Sequence, residues 1–283
     1  MKEMCILEEK ITWVKDGEAF LSPFVNEMIV AINDTNIYVK EKERHVKMVD
    51  SLYSSKNRNH NVIANKNIYV IAGSNGAGKT VLRPYLVNLL KIDDEQSVNI
   101  DFIEVCNHPS FNPYNQYSIE SQKQKIMKLL FTDFCKKAIH DKKDFAYECN
   151  LRKDQLINLS LFEESGYTLN LIFILLESID ESKIRVQHRL QKKEGNYVDE
   201  TSIKHNFTEG LANLNYSFSH WDNLFLIKNF ENVDFIDKAP MPILHARQGN
   251  IVHCNWAEVE KLPYISSIPN LEAALTLYKV QPK

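Results

Sequence analysis

Residues 67–80 carry the sequence NIYVIAGSNGAGKT, in which a run of apolar residues passes directly into a glycine-rich loop. A continuous run of β-branched and aromatic residues, such as 68–72, is typical of a strand covered on both faces of a parallel sheet. The loop matches the complete pattern G-x-x-x-x-G-K-[ST], and the residues after it favour a helix over 78–91, with a kink at Pro84. A strand, this loop and a helix in that order predict a phosphate-binding loop.

Each residue type in the loop has a physical reason to be there. Glycines let the backbone curl until successive N–H groups point inward at phosphate oxygens, and the following helix adds its positive N-terminal end. Lys79 would reach the β- and γ-phosphates, and the Thr80 hydroxyl would ligate Mg²⁺. The alternative is an ordinary strand-to-helix turn with a surface lysine, which accounts less well for a complete match in this context. The sequence therefore predicts that ATP or GTP, with Mg²⁺, binds at Gly73, Ser74, Asn75, Gly76, Ala77, Gly78, Lys79 and Thr80.

The composition limits the class of protein. With 283 residues, of which 44% are hydrophobic, the chain can bury the core of one large α/β domain without metals or disulfides. The five cysteines are scattered and show no C-x-x-C spacing, which favours reduced thiols and a cytoplasmic location. No apolar stretch reaches the length of a membrane span, so we expect no membrane partner.

The charge balance bears on the partners. Lys and Arg number 34 against 37 Asp and Glu, for a net charge of −3, so no global positive field attracts nucleic acid. The nine histidines show neither H-x-x-x-H nor H-E-x-x-H spacing, and no histidine metal cage is predicted. These features favour a small-molecule partner over nucleic acid.

Strand and helix patterns alternate after the glycine loop, which predicts parallel βαβ units. The expected fold is therefore α/β, a P-loop NTPase of the kinase-like type with a parallel sheet flanked by helices. The predicted domains are a helical N-terminal extension (1–65), the P-loop core (66–240) and a C-terminal hairpin and tail (241–283). The remaining predicted core strands are 98–105, 145–149, 167–176 and 232–237, and predicted helices include 118–140, 154–164 and 179–193.

Two carboxylates follow predicted strands. Asp101 and Glu148 each lie where a β-run ends, and the carboxyl ends of parallel strands border the ligand crevice of an open sheet. Phosphoryl transfer needs such a carboxylate near the γ-phosphate, to accept a proton or to order metal-bound water. A turn role for Asp101 and an ion pair between Glu148 and Arg152 are equally consistent with the spacing.

Two arginines lie four residues apart on a predicted helix. Arg185 and Arg189 would share one helix face, which suits a cationic lid over a triphosphate. Surface ion pairs with Glu181 or Glu194 are the alternative for both.

Residues 67–237, about six-tenths of the chain, resemble the zeta toxin family of P-loop kinases. The resemblance implies that Asp101 is the general base and that Glu148 is a second acidic residue near metal and substrate. It also implies that Arg152 contacts substrate and that Arg185 or Arg189 is a phosphate-binding lid arginine. The stretches that carry it are YVIAGSNGAGKT (69–80), NID (99–101) with FNP (111–113), YECNLR (147–152), and RV (185–186) and RL (189–190) leading to GNYV (195–198).

The family's properties add expectations about substrate and partner. Its members phosphorylate a UDP-activated amino sugar and are often paired with an antitoxin, so the resemblance implies a small-molecule phosphoryl acceptor and an antitoxin protein. The chain departs from the family pattern at 204–207, where KHNF replaces an arginine-rich run. It departs also at Val81, in place of a hydroxyl residue, and at 149–150, where Cys-Asn replaces a small or hydroxyl pair.

The leading hypothesis is ATP- and Mg²⁺-dependent phosphoryl transfer to a hydroxyl of a small metabolite, with Asp101 as base and Lys79, Glu148, Arg185 and Arg189 assisting. One alternative is a nucleotide-binding regulatory or interaction protein without transfer activity. The other is a kinase of nucleic-acid ends, against which the negative net charge counts.

Overall fold

The computed structural model describes residues 66–100, 109–111, 119–156, 158–192, 197–228 and 241–280. Within them, seven strands form one sheet in the order β2-β3-β1-β4-β5-β6-β7. The first five strands in this order are parallel to one another, whereas β6 pairs antiparallel with β5, and β7 pairs antiparallel with β6. The strands are β1 (Asn67–Gly73), β2 (Ser97–Asn99), β3 (Phe145–Cys149), β4 (Thr168–Leu175), β5 (Asn223–Lys228), β6 (Met241–Arg247) and β7 (Asn250–Cys254).

Helices cover the sheet, so the predicted α/β fold with a mainly parallel sheet and an added hairpin is confirmed. No helix of the described residues is long and apolar enough to span a bilayer. Short 3₁₀ turns occur at Asp94–Gln96, Lys153–Gln155 and Ile265–Ser267. The α-helices are α1 (Lys79–Leu89), α2 (Ile119–His140), α3 (Leu159–Glu164), α4 (Ile179–Gln191), α5 (Glu200–Tyr216), α6 (Trp256–Val259) and α7 (Pro269–Val280).

The central strands are the hydrophobic core of the protein. Every residue of β1, β3, β4 and β5 is buried, as expected for parallel strands that are covered on both faces. Large side chains fill the space between the sheet and its helices, and Phe145 of β3 stacks on Phe162 of α3 with ring centroids 5.6 Å apart. Full burial of such a side chain contributes about 1.5–3 kcal/mol, so packing of this kind stabilises the sheet that carries the glycine loop.

The structure differs from the predicted elements before α3 and at β5. The helix predicted over 154–164 is wrong at its start, because α3 begins at Leu159 and only a 3₁₀ turn precedes it. The Gln155 side chain accepts hydrogen bonds from the backbone N–H groups of Asn150 and Arg152, which ties this segment into a turn. The strand β5 was not predicted, and the strand predicted over 232–237 lies outside the described residues.

The predicted N-terminal extension (1–65) also lies outside the described residues, and so does Asp101. The hairpin predicted beyond residue 241 is present as β6 and β7. Helix α1 continues through Pro84, whose ring lies on the exposed side of the helix.

A line of polar side chains crosses the sheet at the end opposite the glycine loop. Asn223 Nδ2 donates to Asn170 Oδ1 at 2.9 Å, and both amides are fully buried. His245 Nε2 lies 3.3 Å from Asn223 Oδ1, and its ring stacks on Phe225 with centroids 4.5 Å apart. Burial, with Arg247 and His253 nearby, lowers the pKa of His245 to about 4, so the folded protein holds this ring neutral at pH 7.

His245 should therefore make stability depend on pH. Between its ordinary pKa of about 6.5 and the folded pKa of about 4, the unfolded chain binds a proton that the folded protein does not. Stability should fall as the pH falls through this window, by up to about 3 kcal/mol from this residue. Urea unfolding at pH 7 and pH 4.5 should show a smaller loss for His245→Gln than for the unmodified protein.

His220 supplies the control for that comparison, because its side chain is 42% exposed and its loss removes one histidine from the surface. An equal acid-induced loss of stability in His245→Gln and His220→Gln would show that the half-buried His245 ring is not responsible.

Candidate active site

The glycine loop joins β1 to α1 at the carboxyl edge of the parallel strands. Gly76 has φ +76° and Gly78 has φ +91°, two left-handed conformations that favour glycine and curl the chain between strand and helix. Gly78 is the residue that precedes α1, so the positive end of this helix faces the loop. This is the geometry of a backbone cup for an anion.

Lys79 lies inside the loop. It is 7% exposed, and its ammonium donates to the carbonyl oxygens of Gly73 and Ser74 and to Asn150 Oδ1, each at 2.9 Å. All three acceptors are neutral oxygens, so these hydrogen bonds hold the ammonium in place without neutralising its charge. A positive charge fixed in this way is suited to a negatively charged ligand such as a phosphate.

Thr80 and Glu148 bring hydroxyl and carboxylate oxygens together beside the loop. The Thr80 hydroxyl donates to Glu148 Oε1 at 2.7 Å, and Glu148 is 4% exposed at the end of β3. Arg83 Nε of α1 lies 3.5 Å from Glu148 Oε2. Glu148 therefore pairs with Arg83, whereas Arg152, the partner considered from the sequence, contacts Asp154 at 3.3 Å. Arg83 was not singled out from the sequence, although it lies one helical turn after Thr80.

Helices α4 and α5 contact the tip of the loop. Ser182 Oγ of α4 donates to the Asn75 carbonyl at 2.5 Å, and Asn206 Nδ2 of α5 donates to Asn75 Oδ1 at 2.8 Å. The backbone of Gly76 also lies against α4, since a Cβ at that position would be 2.9 Å from Arg185 Cβ. These contacts were not predicted from the sequence. They place the predicted lid helix directly on the loop.

The two predicted lid arginines differ in their surroundings. Arg185 is 7% exposed, and its Nη2 lies 2.5 Å from Glu181 Oε1. The ion pair with Glu181 that the sequence left open is thus present, but it is buried beside the loop rather than solvated. Arg189 lies one turn further along α4 and is half-buried.

A cavity of about 960 Å³ adjoins the segment that follows β3. Its walls come from α2, from residues around the Lys153–Gln155 turn and from α5. Arg152, the predicted substrate-side residue, lines the cavity, and it lies two residues beyond Asn150, whose side chain contacts Lys79. The charged and polar lining residues include Lys128, Arg152, Lys153, Asp154, His205 and Glu209.

The loop fits a nucleotide with its metal. Ser74 is 6% exposed, and its Oγ finds no hydrogen-bond partner within the described part of the chain, as would suit a group reserved for a ligand. Hydroxyl and carboxylate oxygens, as at Thr80 and Glu148, are ligands that Mg²⁺ accepts. Within the described residues, no three or more His, Cys, Asp or Glu side chains are grouped so that they could hold a metal ion, but a magnesium ion shared with phosphates does not need such a group.

Comparison with solved structures finds two forms of one complex that share this fold, and a third structure of lower similarity. The AvrRxo1-ORF1:AvrRxo1-ORF2 complex with sulphate ions is similar to the chain at a TM-score of 0.50 and 16% identity, over 70% of this chain and 64% of that one. Its native form gives a TM-score of 0.50 and 16% identity, over 75% and 71%. A structure from the PezAT chromosomal toxin-antitoxin system of Streptococcus pneumoniae gives a TM-score of 0.44 and 15% identity, over 83% and 96%.

The chain thus spans about 64% of the length of the sulphate-bound relative. No curated protein that was compared with the chain matches it. A family model matches residues 49–238, which is more than half of the 283 residues and includes the loop, Glu148 and the lid helix. The chain therefore belongs to the zeta toxin family.

Proposed function

We propose that this protein transfers the γ-phosphoryl group of ATP, or of GTP, to a hydroxyl of a small metabolite in the presence of Mg²⁺. The observation that carries the proposal is the convergence of four side chains at one edge of the sheet. Lys79 and Thr80 of a complete phosphate loop contact Asn150 and Glu148, which lie at and just beyond the end of the neighbouring strand β3. Kinases of this general type act by positioning and electrostatic stabilisation rather than by covalent chemistry.

Each group of residues at the site would have its own role in phosphoryl transfer. The loop N–H groups and Lys79 would hold the β- and γ-phosphates and spread the charge that develops during transfer. Thr80 and Glu148 would hold Mg²⁺, which when bound neutralises charge on the phosphate oxygens. Arg185 and Arg189 would supply cations from the lid helix.

The proton of the acceptor hydroxyl also needs a destination. The acceptor oxygen forms a new bond to the γ-phosphorus, the bond from that phosphorus to the β–γ bridging oxygen breaks, and ADP leaves with that oxygen. Asp101, two residues after β2 in the sequence, would accept the hydroxyl proton as general base.

The cavity next to the β3 segment is the proposed acceptor site. Its volume of about 960 Å³ suits a drug-sized or nucleotide-sized molecule, since ligand pockets run to about 300–1,000 Å³. Arg152 and Lys153 would attract an anionic acceptor, and the family resemblance favours a UDP-sugar. An antitoxin is the proposed protein partner, because the similar structures include a toxin-antitoxin system and a complex of two open reading frame products.

One experiment tests the proposal directly. The full chain is incubated with ATP, Mg²⁺ and a panel of UDP-sugars and nucleosides, and the products are read by mass for one added phosphate. We expect a UDP-sugar to gain the phosphate. ATP binding without phosphate transfer to any member of the panel would favour the regulatory protein instead, and phosphate on oligonucleotide ends would favour the nucleic-acid kinase.

Asp101→Asn should abolish transfer while nucleotide binding persists. The amide keeps the size of the side chain but cannot accept the proton, so kcat should fall by about 10²–10⁴-fold and the Kd for ATP should stay within about threefold. Steady-state kinetics and calorimetry measure the two quantities. Asp93→Asn is the matched control, since the Asp93 side chain is 68% exposed and pairs with Lys143 away from the loop. Unimpaired turnover in Asp101→Asn would remove the assigned base.

A further inference from the structure

Asn150 connects the phosphate loop to the proposed acceptor side. It follows β3 directly, is 4% exposed, and its Oδ1 accepts a hydrogen bond from Lys79 Nζ at 2.9 Å. The same ammonium also donates to two loop carbonyls. Of these three acceptors, Asn150 lies outside the loop, so it relates Lys79 to the segment that follows β3.

Gln155 holds Asn150 in place. Its Oε1 accepts from the backbone N–H of Asn150 at 3.0 Å and from that of Arg152 at 3.1 Å, and the side chain is 3% exposed. The carbonyl of Gln155 in turn accepts the Tyr147 hydroxyl at 3.2 Å. Burial raises the pKa of Tyr147 well above its ordinary value, so this hydroxyl keeps its proton.

Helix α5 fixes the same segment from the other side. Leu151 lies in the left-handed region at φ +59°, and its carbonyl accepts from Asn213 Nδ2 at 2.8 Å. A Cβ at Gly210 would lie 2.9 Å from the Asn150 carbonyl, so the helix backbone packs tightly on the segment. A leucine in this conformation costs free energy and persists only where its surroundings determine it. Such backbone strain is frequent at functional sites.

We propose that Asn150 is a positioning residue for Lys79. Gln155 in turn fixes Asn150, so that Lys79 and the segment at Arg152, which lines the acceptor cavity, keep a fixed position relative to each other. The inference rests on the proposed phosphoryl transfer and deepens it. Without Asn150, Lys79 keeps its two loop carbonyls and its charge, but its direction is no longer set from the acceptor side. Ground-state binding of nucleotide should then survive, whereas alignment for transfer should not.

Two substitutions at Asn150 separate the positioning of Lys79 from the binding of nucleotide. Asn150→Ala should lower kcat by about tenfold or more and change the Kd for ATP by less than about threefold. Asn150→Asp keeps the shape of the side chain but pairs a carboxylate with the ammonium. Phosphates must then compete with it, so the Kd for ATP should rise by about tenfold or more.

A double substitution tests whether Gln155 acts on transfer through Asn150. Gln155→Leu should lower kcat by itself, yet should change it by less than about twofold when Asn150 is already Ala, because the effect runs through that residue. Multiplicative effects of the two substitutions would overturn this part of the proposal. Asn158→Ala is the control, since Asn158 is 7% exposed and bonds to Thr132 rather than to the lysine. It should lower the Tm and leave kcat unchanged.

A second readout does not depend on activity. Acetylation of Lys79 by dilute acetic anhydride in the nucleotide-free protein, followed by mass spectrometry, should be several-fold faster in Asn150→Ala than in the unmodified protein or in Asn158→Ala. Equal labelling in all three proteins would overturn the inference even if transfer is observed. If the unmodified protein transfers no phosphate, the proposed function fails, and the labelling rates still decide whether Asn150 holds the lysine.

Discussion

Lys79→Met should lower phosphoryl transfer by about 10²–10³-fold or more and weaken ATP binding by about tenfold or more. Methionine has nearly the length of lysine and fills the same buried space, but it carries no charge and donates no hydrogen bond. The phosphates would lose the one side-chain cation within the loop, and transfer would lose a charge that is fixed before the reaction begins. Turnover and calorimetry with ATP and Mg²⁺ measure the two effects.

Lys136→Met is the control for that variant, because Lys136 is exposed on α2 and is not among the residues that form the site. Its activity should equal that of the unmodified protein. Turnover close to normal in a folded Lys79→Met protein would show that this lysine does not contact the transferred phosphate.

Gly76→Ala should damage the site for a steric reason. Alanine at φ +76° is strained by about 1–2 kcal/mol, and its Cβ would meet Arg185 Cβ at 2.9 Å and the Ser182 carbonyl at 3.2 Å. A Cβ atom cannot rotate away, so α4 must move from the loop and its hydrogen bond to Asn75 must lengthen or break. We expect ATP binding to weaken by about tenfold or more and transfer to fall further.

The chain offers a closely matched control in Gly166. It also has φ +76°, but a Cβ there would have no atom within 4 Å. Gly166→Ala should therefore lower the free energy of unfolding by about 1–2 kcal/mol and leave nucleotide binding unchanged. Similar binding losses in the two variants would mean that backbone strain, rather than contact with α4, explains the effect at Gly76.

The sequence predicted the parts of the site that depend on local order along the chain. The loop at 73–80 and its flanking strand and helix are contiguous, so a pattern of residue types is enough to recognise them. Glu148 was placed beside the loop because a strand ends there, and its register opposite Ile71 of β1 explains why the two meet.

The sequence did not predict contacts between distant residues through single side chains. The bond from Asn206 to Asn75 joins positions 131 residues apart, and no periodicity marks an asparagine as the partner of a loop. The predicted start of a helix at Asp154 was wrong because of another side-chain contact. The Gln155 side chain accepts hydrogen bonds from the backbone N–H groups of Asn150 and Arg152, which holds this segment in a turn.

The strand β5 was missed for another reason. Its apolar run 224–227 is short and is flanked by two polar residues, Asn223 and Lys228, both of which are buried. A lysine at the end of an apolar run predicts a surface position. In the structure, the Lys228 ammonium is instead buried and forms ion pairs with Glu177 and Glu258.

The central claim is that the loop at 73–80 binds a nucleoside triphosphate with Mg²⁺. Calorimetric titration of the full chain with ATP, with and without Mg²⁺, tests it most directly. We expect saturable binding of one ATP per chain that strengthens with Mg²⁺ and is weakened in Lys79→Met. Absence of any binding at millimolar ATP or GTP, or equal binding by Lys79→Met and the unmodified protein, would contradict the claim.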